Sequence, residues 1–390
     1  MVTGNATLVV DLGNSETRVN TYFGKTAKGN YRTRLSCLSN RYSSVRDDER
    51  LEQAMSNPEY NDENSRVFEM DGEQYCNGRM CETEFNISMF RPTAGEKKYR
   101  SLSTKAALRN ALMQGYEDIA SMEQCDLDSI NVIWNLSLLL PPQDLEVGAE
   151  ELAAMAKEIK RLDFILPEFH VNVNIGRVNV FPEGFCALMG VMFKSAGVPR
   201  PEYAYLMEED AYTLIVDIGA GTTDFNLALA GKVISNARYT CEFGGNNVTQ
   251  RVRRMLRNEG YTKLHGDAFQ KACETGYLKV GTSVIDIRDK IDTAKSEVAT
   301  QLVNAIKDYM ELGDVTIQDV SYLLVCGGGS EVSAESGMEP ISNYMVRYLQ
   351  NQSSGIKEVE LPSLIINGEP MVSPRLMNII GAGVMSESMI

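Results

Sequence analysis

The sequence predicts an α/β protein of two lobes, and three observations lead to this prediction. A short apolar strand that ends in Asp-x-Gly opens each half of the chain, at Asp11 and again at Asp217. Further apolar strand patterns alternate with helical periodicity in both halves. The length of 390 residues is enough for about two to four compact lobes, and 43% hydrophobic with 23% charged residues is typical of a globular protein.

The first half begins with a predicted β-hairpin. Residues 7–11 form a β-branched run, Gly13-Asn14 supplies a turn, and residues 17–23 form the returning strand. Further strands are predicted over 32–38, 130–140, 171–175 and 178–181, and helices over 103–120 and 144–161. Residues 44–98 are rich in Asp, Glu, Asn and Ser with recurring aromatics, so we expect a small exposed insertion with a few short strands.

The second half repeats this opening. Strands are predicted over 212–217 and 222–228, on either side of the loop Asp217-Ile-Gly-Ala-Gly-Thr-Thr-Asp224, and a third strand follows over 232–240. Apolar residues that step by three or four predict a long helix over 285–311. A last buried strand over 321–326 ends at Gly327-Gly-Gly329.

Both Asp-x-Gly turns have the composition of a phosphate site. Glycine lets backbone amides approach a phosphate closely, and an aspartate at the strand end can hold a hydrated magnesium ion. One such turn is common in ordinary hairpins, so the argument depends on two copies together with the glycine run that begins at Gly327. The sequence contains neither a Walker P-loop nor a Rossmann glycine pattern placed before a helix.

Five motifs, taken in order along the chain, resemble those of the actin-like ATPase superfamily, which includes actin, the heat-shock chaperone ATPase domain, sugar kinases and bacterial filament proteins. They are a first phosphate loop over 11–18, a first connecting helix over 181–188, a second phosphate loop over 217–224, an adenosine loop over 325–329 and a second connecting helix over 373–383. The resemblance implies a two-lobed actin-like ATPase fold in which each lobe is a mixed sheet with flanking helices and the nucleotide cleft lies between the lobes. Domain I is expected to comprise 1–184 and 374–390 with an inserted subdomain over about 32–100, and domain II 185–373 with an insertion over about 242–310.

The resemblance also implies roles for individual residues. Glu183 stands where the family places the acid or amide that positions the attacking water, with helix capping as the structural alternative. Asp11 and Asp217 are expected to organise Mg²⁺ through water. The residues expected to contact the nucleotide are Gly13, Asn14, Ser15 and Arg18 on one side, and Gly219, Gly221, Thr222, Thr223, Gly244, Gly245, Glu274, Lys279, Gly327, Gly328 and Gly329 on the other.

Two of these assignments have an alternative, and two positions depart from the family pattern. Glu274 and Lys279 are expected to reach the ribose or base, or else to lie on a solvated helix face. Arg18 stands where many relatives carry a phosphate-facing lysine, and Asn247 where an acid is often found. Arginine keeps the positive charge but is bulkier and forked, so nucleotide geometry or rate is expected to differ.

Composition and motif spacing narrow the function. A net charge of −15 and a pI near 4.8 disfavour direct binding to nucleic acid or to an anionic membrane. Eight scattered cysteines and two histidines provide no zinc-binding pattern and favour reduced thiols in a cytoplasmic protein. The last motif lies almost at the end of the sequence, so we do not expect a chaperone of the heat-shock type with a peptide-binding domain. Residues 1–6 and 385–390 lack the pattern of an amphipathic helix, so we expect no membrane tether there.

The opening Asp-Leu-Gly-Asn-Ser resembles plasmid-segregation actins of the ParM type. We therefore expect a cytoplasmic ATPase that uses ATP and Mg²⁺, with GTP as the other nucleotide considered. It is expected to polymerise with itself into filaments and to move plasmid DNA through a DNA-bound adaptor protein. A small-molecule kinase on the same fold, with Asp224 as its catalytic aspartate, and a non-hydrolysing nucleotide-binding scaffold are the alternatives.

Overall fold

The structure is a computed structural model that describes residues 1–14, 16–26, 31–60, 65–85, 89–90, 96–262, 264, 266–312, 315–332, 337–353 and 355–387. Contacts within the chain divide it into two units. Unit 1 contains Met1–Pro182, Leu364–Met371 and Ala382–Ile390. Unit 2 contains Glu183–Ser363 and Val372–Gly381.

Most of unit 1 is formed by the first part of the chain. Its elements are β1 (Val2–Leu12), β2 (Glu16–Lys25), β3 (Tyr31–Ser39), β4 (Tyr42–Val45), α1 (Asp48–Met55), β5 (Arg66–Met70), β6 (Glu73–Asn77), α2 (Arg79–Thr83), β7 (Met89–Phe90), α3 (Leu102–Glu123), β8 (Ile130–Leu140), α4 (Leu145–Lys157), β9 (Arg161–Leu166), β10 (Phe169–Asn172) and β11 (Asn174–Pro182).

Unit 2 begins with the helix that follows β11. Its elements are α5 (Phe185–Met192), β12 (Phe193–Ser195), β13 (Val198–Pro199), β14 (Tyr212–Ile218), β15 (Thr223–Leu229), β16 (Lys232–Cys241), α6 (Gly245–Asn258), α7 (Gly266–Thr275), β17 (Tyr277–Val280), β18 (Ser283–Asp286), α8 (Arg288–Leu312), β19 (Val320–Cys326), α9 (Ile341–Gln350) and β20 (Lys357–Glu358). The chain ends with β21 (Leu364–Ile366) and β22 (Glu369–Met371) in unit 1 and with α10 (Met377–Glu387), whose first residues belong to unit 2.

Each unit contains a five-stranded sheet, and the two sheets have the same topology. The strand order is β3-β2-β1-β8-β11 in unit 1 and β16-β15-β14-β19-β20 in unit 2. In both sheets the first three strands of this order run antiparallel, each to its neighbour. The last two strands are parallel to the central strand, which is β1 in unit 1 and β14 in unit 2. The register places Asp11 opposite Arg18 in one hairpin and Asp217 opposite Asp224 in the other. The repeated strand–turn–strand pattern in the sequence therefore corresponds to a repeated sheet.

Side chains alternate between the two faces of each central strand, as a period of two requires. In β14, Leu214 and Val216 lie in the apolar core of unit 2, together with residues of α6 and α8. Asp217 lies on the opposite face because it is one residue out of phase with Val216. In β1, Leu8 and Val10 likewise lie in the core of unit 1, which also includes residues of α3.

The structure corrects three of the predicted elements. The helix predicted over 144–161 ends at Lys157, because the following segment alternates as a strand and buries Leu162 and Phe164 in β9. The helix predicted to begin at residue 285 begins at Arg288, and residue 285 belongs to the β17–β18 hairpin. The insertion contains the helices α1 and α2 as well as short strands. These strands share one sheet with β9 and β10, which come from outside the insertion, in the order β10-β9-β5-β6-β4-β7.

Among the described residues, we find no helix that is both long and apolar enough to cross a membrane.

Candidate functional site

The β1–β2 hairpin of unit 1 holds a buried ion pair. Asp11 is buried at the end of β1, and its Oδ2 lies 2.7 Å from Nη1 of Arg18. Arg18 also binds Glu16, with Nη2 2.8 Å from Oε1. Burial by itself would lower the pKa of the Arg18 guanidinium, but the two carboxylates outweigh burial and raise the pKa above its ordinary value. Arg18, predicted to face a phosphate, therefore already has two acidic partners within its own unit.

The turn that follows Asp11 is held by a side chain that the sequence analysis did not select. The Asn40 amide nitrogen donates a hydrogen bond to the Gly13 carbonyl, and its oxygen accepts from the Thr17 hydroxyl at 2.5 Å and from the Tyr42 hydroxyl at 3.0 Å. Asn14 lies in the turn, and Ser15 lies outside the described residues. The only sequence signal for Asn40 is an asparagine directly after a strand, which is common in turns.

Three carboxylates come together in unit 2. Asp217 ends β14, Asp224 lies opposite it in β15, and Glu183 stands directly before the Gly184 cap of α5. All three are buried, and one oxygen atom from each lies within 4.8 Å of the others. Carboxylate oxygens are the ligands that Mg²⁺ and Ca²⁺ prefer. The structure thus joins two predicted residues, Glu183 and Asp217, and adds Asp224, which the sequence analysis assigned only to the kinase alternative.

Two neighbours hold these carboxylates in place. The Thr240 hydroxyl donates to Oδ1 of Asp224. The Asn378 amide nitrogen donates to Oδ2 of Asp217, and its oxygen accepts from the Gly184 backbone N–H at 2.9 Å. Asn378 lies within the predicted second connecting helix, but sequence analysis assigned it no role.

The three glycine loops predicted in the second half of the chain lie side by side. Gly219 N–H donates to the Thr222 carbonyl at 2.8 Å, and Gly245 N–H donates to the Gly219 carbonyl at 2.9 Å. A Cβ on Gly329 would lie 2.2 Å from the same Gly219 carbonyl oxygen, a distance at which only glycine fits. The backbones of loops 219–221, 244–245 and 327–329 therefore form one compact surface, on which the methyl group of Ala220 is the one side chain.

Gly327 connects this surface to the carboxylates. Its φ is +86°, and a Cβ there would lie 2.2 Å from Oδ1 of Asp217 and 2.4 Å from the Ile218 carbonyl oxygen. The Gly327 N–H donates to the Pro374 carbonyl at 3.0 Å, just before α10. The carboxylate cluster and the glycine surface thus form one site within unit 2.

The remaining residues that were predicted to contact the nucleotide are spread over several elements. The Thr223 hydroxyl donates to the Phe243 carbonyl at 2.7 Å, and the Thr222 side chain is partly exposed. Glu274 lies on α7 and accepts from Gln270 at 3.3 Å, while Lys279 is exposed on β17. Neither element belongs to the glycine surface, so nucleotide contact by these two residues stays a prediction.

The helix that begins at Gly245 is capped by its own third residue. The Asn247 side-chain oxygen accepts from Gly244 N–H at 2.8 Å, which satisfies one of the amide groups that a helix leaves unpaired at its start. The asparagine that replaces the family acid therefore has a structural role here.

Comparisons with known proteins identify the fold. A family model described as "Archaeal actin homologue MreB-like, C-terminal" matches residues 215–336, about a third of the chain. The solved structure of actin-like protein Alp7A covers 99% of this chain and 97% of its own, with a TM-score of 0.70 and 14% identity. The chain has the actin-like fold. A 15-stranded ParM filament from Clostridium botulinum matches at a TM-score of 0.66 and 15% identity, over 99% of both chains. The archaeal actin homolog Ta0583, in complex with ADP, matches at 0.63 and 14%, over 100% of both chains.

No curated protein sequence matches the chain. The resemblance predicted from five short motifs is thus confirmed at the level of the actin-like fold. Within that fold, the first connecting motif leads into α5 and the second into α10, while the β14–β15 turn and the residues after β19 provide the predicted second phosphate loop and adenosine loop.

Proposed function

We propose that this protein is a cytoplasmic ATPase that binds ATP with Mg²⁺, hydrolyses it and polymerises into filaments, and that the filaments move plasmid DNA through a DNA-bound adaptor protein. The observation that carries the proposal is the site of unit 2. There, a buried carboxylate cluster of Glu183, Asp217 and Asp224 adjoins a surface of three glycine loops.

The glycine surface fits a polyphosphate. Backbone amides without side chains can approach phosphate oxygens closely. The 14-residue helix α6 begins at Gly245 on this surface. Its first amides are already bonded within the protein, Gly245 N–H to Gly219 and Asn246 N–H to Ala220, so the helix start would favour an anion only through its partial positive charge. The ADP complex of Ta0583, which has the same fold, supports a nucleotide as the ligand.

The carboxylate cluster fits a hard divalent cation, because all three residues offer oxygen and all three are buried. Asp217 and Asp224 would hold Mg²⁺, which would neutralise phosphate charge during phosphoryl transfer. A share of Asp11 in organising Mg²⁺ through water stays a prediction. Glu183 would orient the attacking water and accept its proton. Gly184 rather than Glu183 occupies the N-cap position of α5, which argues against helix capping as the role of Glu183.

Self-assembly is supported by the ParM filament that shares this fold along nearly the whole chain. The test combines sedimentation, light scattering and phosphate release with ATP and Mg²⁺, followed by electron microscopy of negatively stained samples. We expect assembly above a critical concentration. A protein that binds ATP yet stays monomeric well above micromolar concentration would contradict the proposal.

The role of Glu183 has a sharper test. We expect Glu183→Ala to slow phosphate release by about 100-fold, the scale of a lost general base, while nucleotide binding and assembly persist. Glu202→Ala is the matched control, because Glu202 is an exposed glutamate of the same unit. Equal turnover in the two variants would remove Glu183 from the mechanism.

A small-molecule kinase is the second candidate, and the place of Asp224 in the carboxylate cluster favours it. In a kinase, ATP consumption should rise when a sugar or carboxylate acceptor is added. In a filament protein it should rise with the concentration of the protein itself. Tight ATP binding without phosphate release, even in assembled protein, would instead indicate a scaffold.

The net charge of the chain is the reason for including an adaptor protein in the proposal. A chain with a net charge of −15 is repelled by DNA phosphates, so a separate DNA-binding protein is needed to connect filament and plasmid. Filaments pelleted with plasmid DNA at physiological salt should leave the DNA in the supernatant. DNA that pellets with the filaments alone would contradict the need for an adaptor.

A further inference from the structure

Asn378 uses both ends of its amide on the site of unit 2. Its nitrogen donates to Oδ2 of Asp217, and its oxygen accepts from the backbone of Gly184 at 2.9 Å. Asn378 is buried, so neither bond competes freely with water. One side chain on α10 therefore connects the proposed metal-organising carboxylate to the turn that carries Glu183.

The surrounding backbone leaves little freedom in this arrangement. A Cβ on Gly381, one turn after Asn378, would lie 1.5 Å from the Cys186 carbonyl oxygen, so α10 packs directly against the backbone of α5. On the other side of the turn, the Asn226 amide nitrogen lies 2.4 Å from where a Cβ on Gly184 would stand. Asn378 is thus held at a fixed distance from Gly184.

The other oxygen of Asp217 is confined as well. Oδ1 lies 2.2 Å from the position that a Cβ on Gly327 would occupy, and Gly327 is bonded to Pro374, four residues before Asn378. A single segment, residues 374–378, therefore contacts the glycine surface, Asp217 and the Gly184 turn.

We propose that Asn378 is a positioning residue that fixes the orientation of the Asp217 carboxylate relative to Glu183. The inference rests on the proposed hydrolysis of ATP for its catalytic consequence. Its structural content, a direct coupling between Asn378 and Asp217, does not depend on the activity.

Two substitutions distinguish the hydrogen bond that the Asn378 amide donates from the one that it accepts. Asn378→Ala removes both hydrogen bonds. Asn378→Asp keeps the acceptor for Gly184 N–H but replaces the donor by a second carboxylate that faces Asp217, in a site that also contains Glu183 and Asp224. Asn351→Ala, at an exposed position after α9, is the control.

We expect both Asn378 variants to lower the rate of phosphate release at least tenfold at pH 8 and to require more Mg²⁺ for half-maximal rate, with Asn351→Ala unchanged. The changed Mg²⁺ requirement would not follow from a general loss of stability. An unchanged Mg²⁺ requirement in both variants, or wild-type rates in both, would overturn the proposal.

A double-mutant cycle keeps the inference testable if the wild type does not hydrolyse ATP. The shifts of the urea midpoint in Asn378→Ala, Asp217→Ala and the double variant should be clearly non-additive, because the residues share one hydrogen bond. Additive shifts would overturn the coupling. Absent phosphate release with non-additive midpoints would reject the proposed ATPase and leave the coupling in place.

Discussion

The contact between Gly327 and Asp217 makes a quantitative prediction for Gly327→Ala. Two costs add. A non-glycine residue at a φ of +86° is strained by about 1–2 kcal/mol. The new Cβ would also meet a carboxylate oxygen at 2.2 Å and a carbonyl oxygen at 2.4 Å, and such overpacking typically costs about 1–3 kcal/mol. We expect the free energy of unfolding to fall by about 2–5 kcal/mol.

The chain offers a control for a positive φ without the close contacts. Gly260, also in unit 2, has a φ of +93°, and nothing lies within 4 Å of the position that a Cβ would take there, so Gly260→Ala should cost only about 1–2 kcal/mol. Urea unfolding followed by circular dichroism gives both values, and titration with Mg²⁺·ATP shows whether displacement of Asp217 weakens binding. If the two variants lose equal stability and bind nucleotide equally, the close approach of Gly327 to Asp217 is not as described.

Three further substitutions test other parts of the molecule. Arg18→Met leaves Asp11 buried without its cation, so urea unfolding should register a loss of about 3–5 kcal/mol, and a loss below about 1 kcal/mol would contradict the ion pair. Asn40→Ala removes three hydrogen bonds, including the one to Gly13, and should lower the same free energy by about 2–3 kcal/mol. Burial lowers the pKa of Lys295 from 10.5 to about 8. Between these two pH values the unfolded state binds more protons than the folded state, so the free energy of unfolding should rise with pH, by up to about 3 kcal/mol. Lys295→Met should abolish this rise in urea unfolding measured from pH 7.5 to 10, and an unchanged slope would refute it.

Sequence patterns predicted the parts of the fold that local chemistry determines. The strand over 130–140 was predicted with its observed bounds, because a mainly apolar run is stopped by two prolines. Arg161–Leu166 was not predicted as a strand: the helix was predicted to run to residue 161, and the short alternation over 162–166 was assigned to no element. The β17–β18 hairpin was missed because its strands have four residues each and bury few side chains.

Only some residues of the candidate site could be predicted from the sequence. Glu183, Asp217 and the glycine loops stand in motifs of the chain, so sequence reasoning found them. Asn40 and Asn378 act through partners that are distant in sequence: Asn378 is 161 residues from Asp217. A lone asparagine has no pattern that distinguishes such a role from an ordinary turn or helix residue. The pairing of Arg18 with Asp11 could not be predicted either, because it depends on the register of the hairpin.

The shared register of the two hairpins has a consequence for how the halves respond to dissolved ions. The residue opposite the strand-end aspartate is an arginine in unit 1 and a second aspartate in unit 2. The first hairpin therefore neutralises itself, whereas the second concentrates negative charge and gains from cations in solution. Chelation of divalent ions at low ionic strength should accelerate amide hydrogen exchange in β14 and β15 and leave β1 and β2 unaffected. The two sheets share a topology, but only the β14–β15 hairpin is expected to respond to dissolved cations.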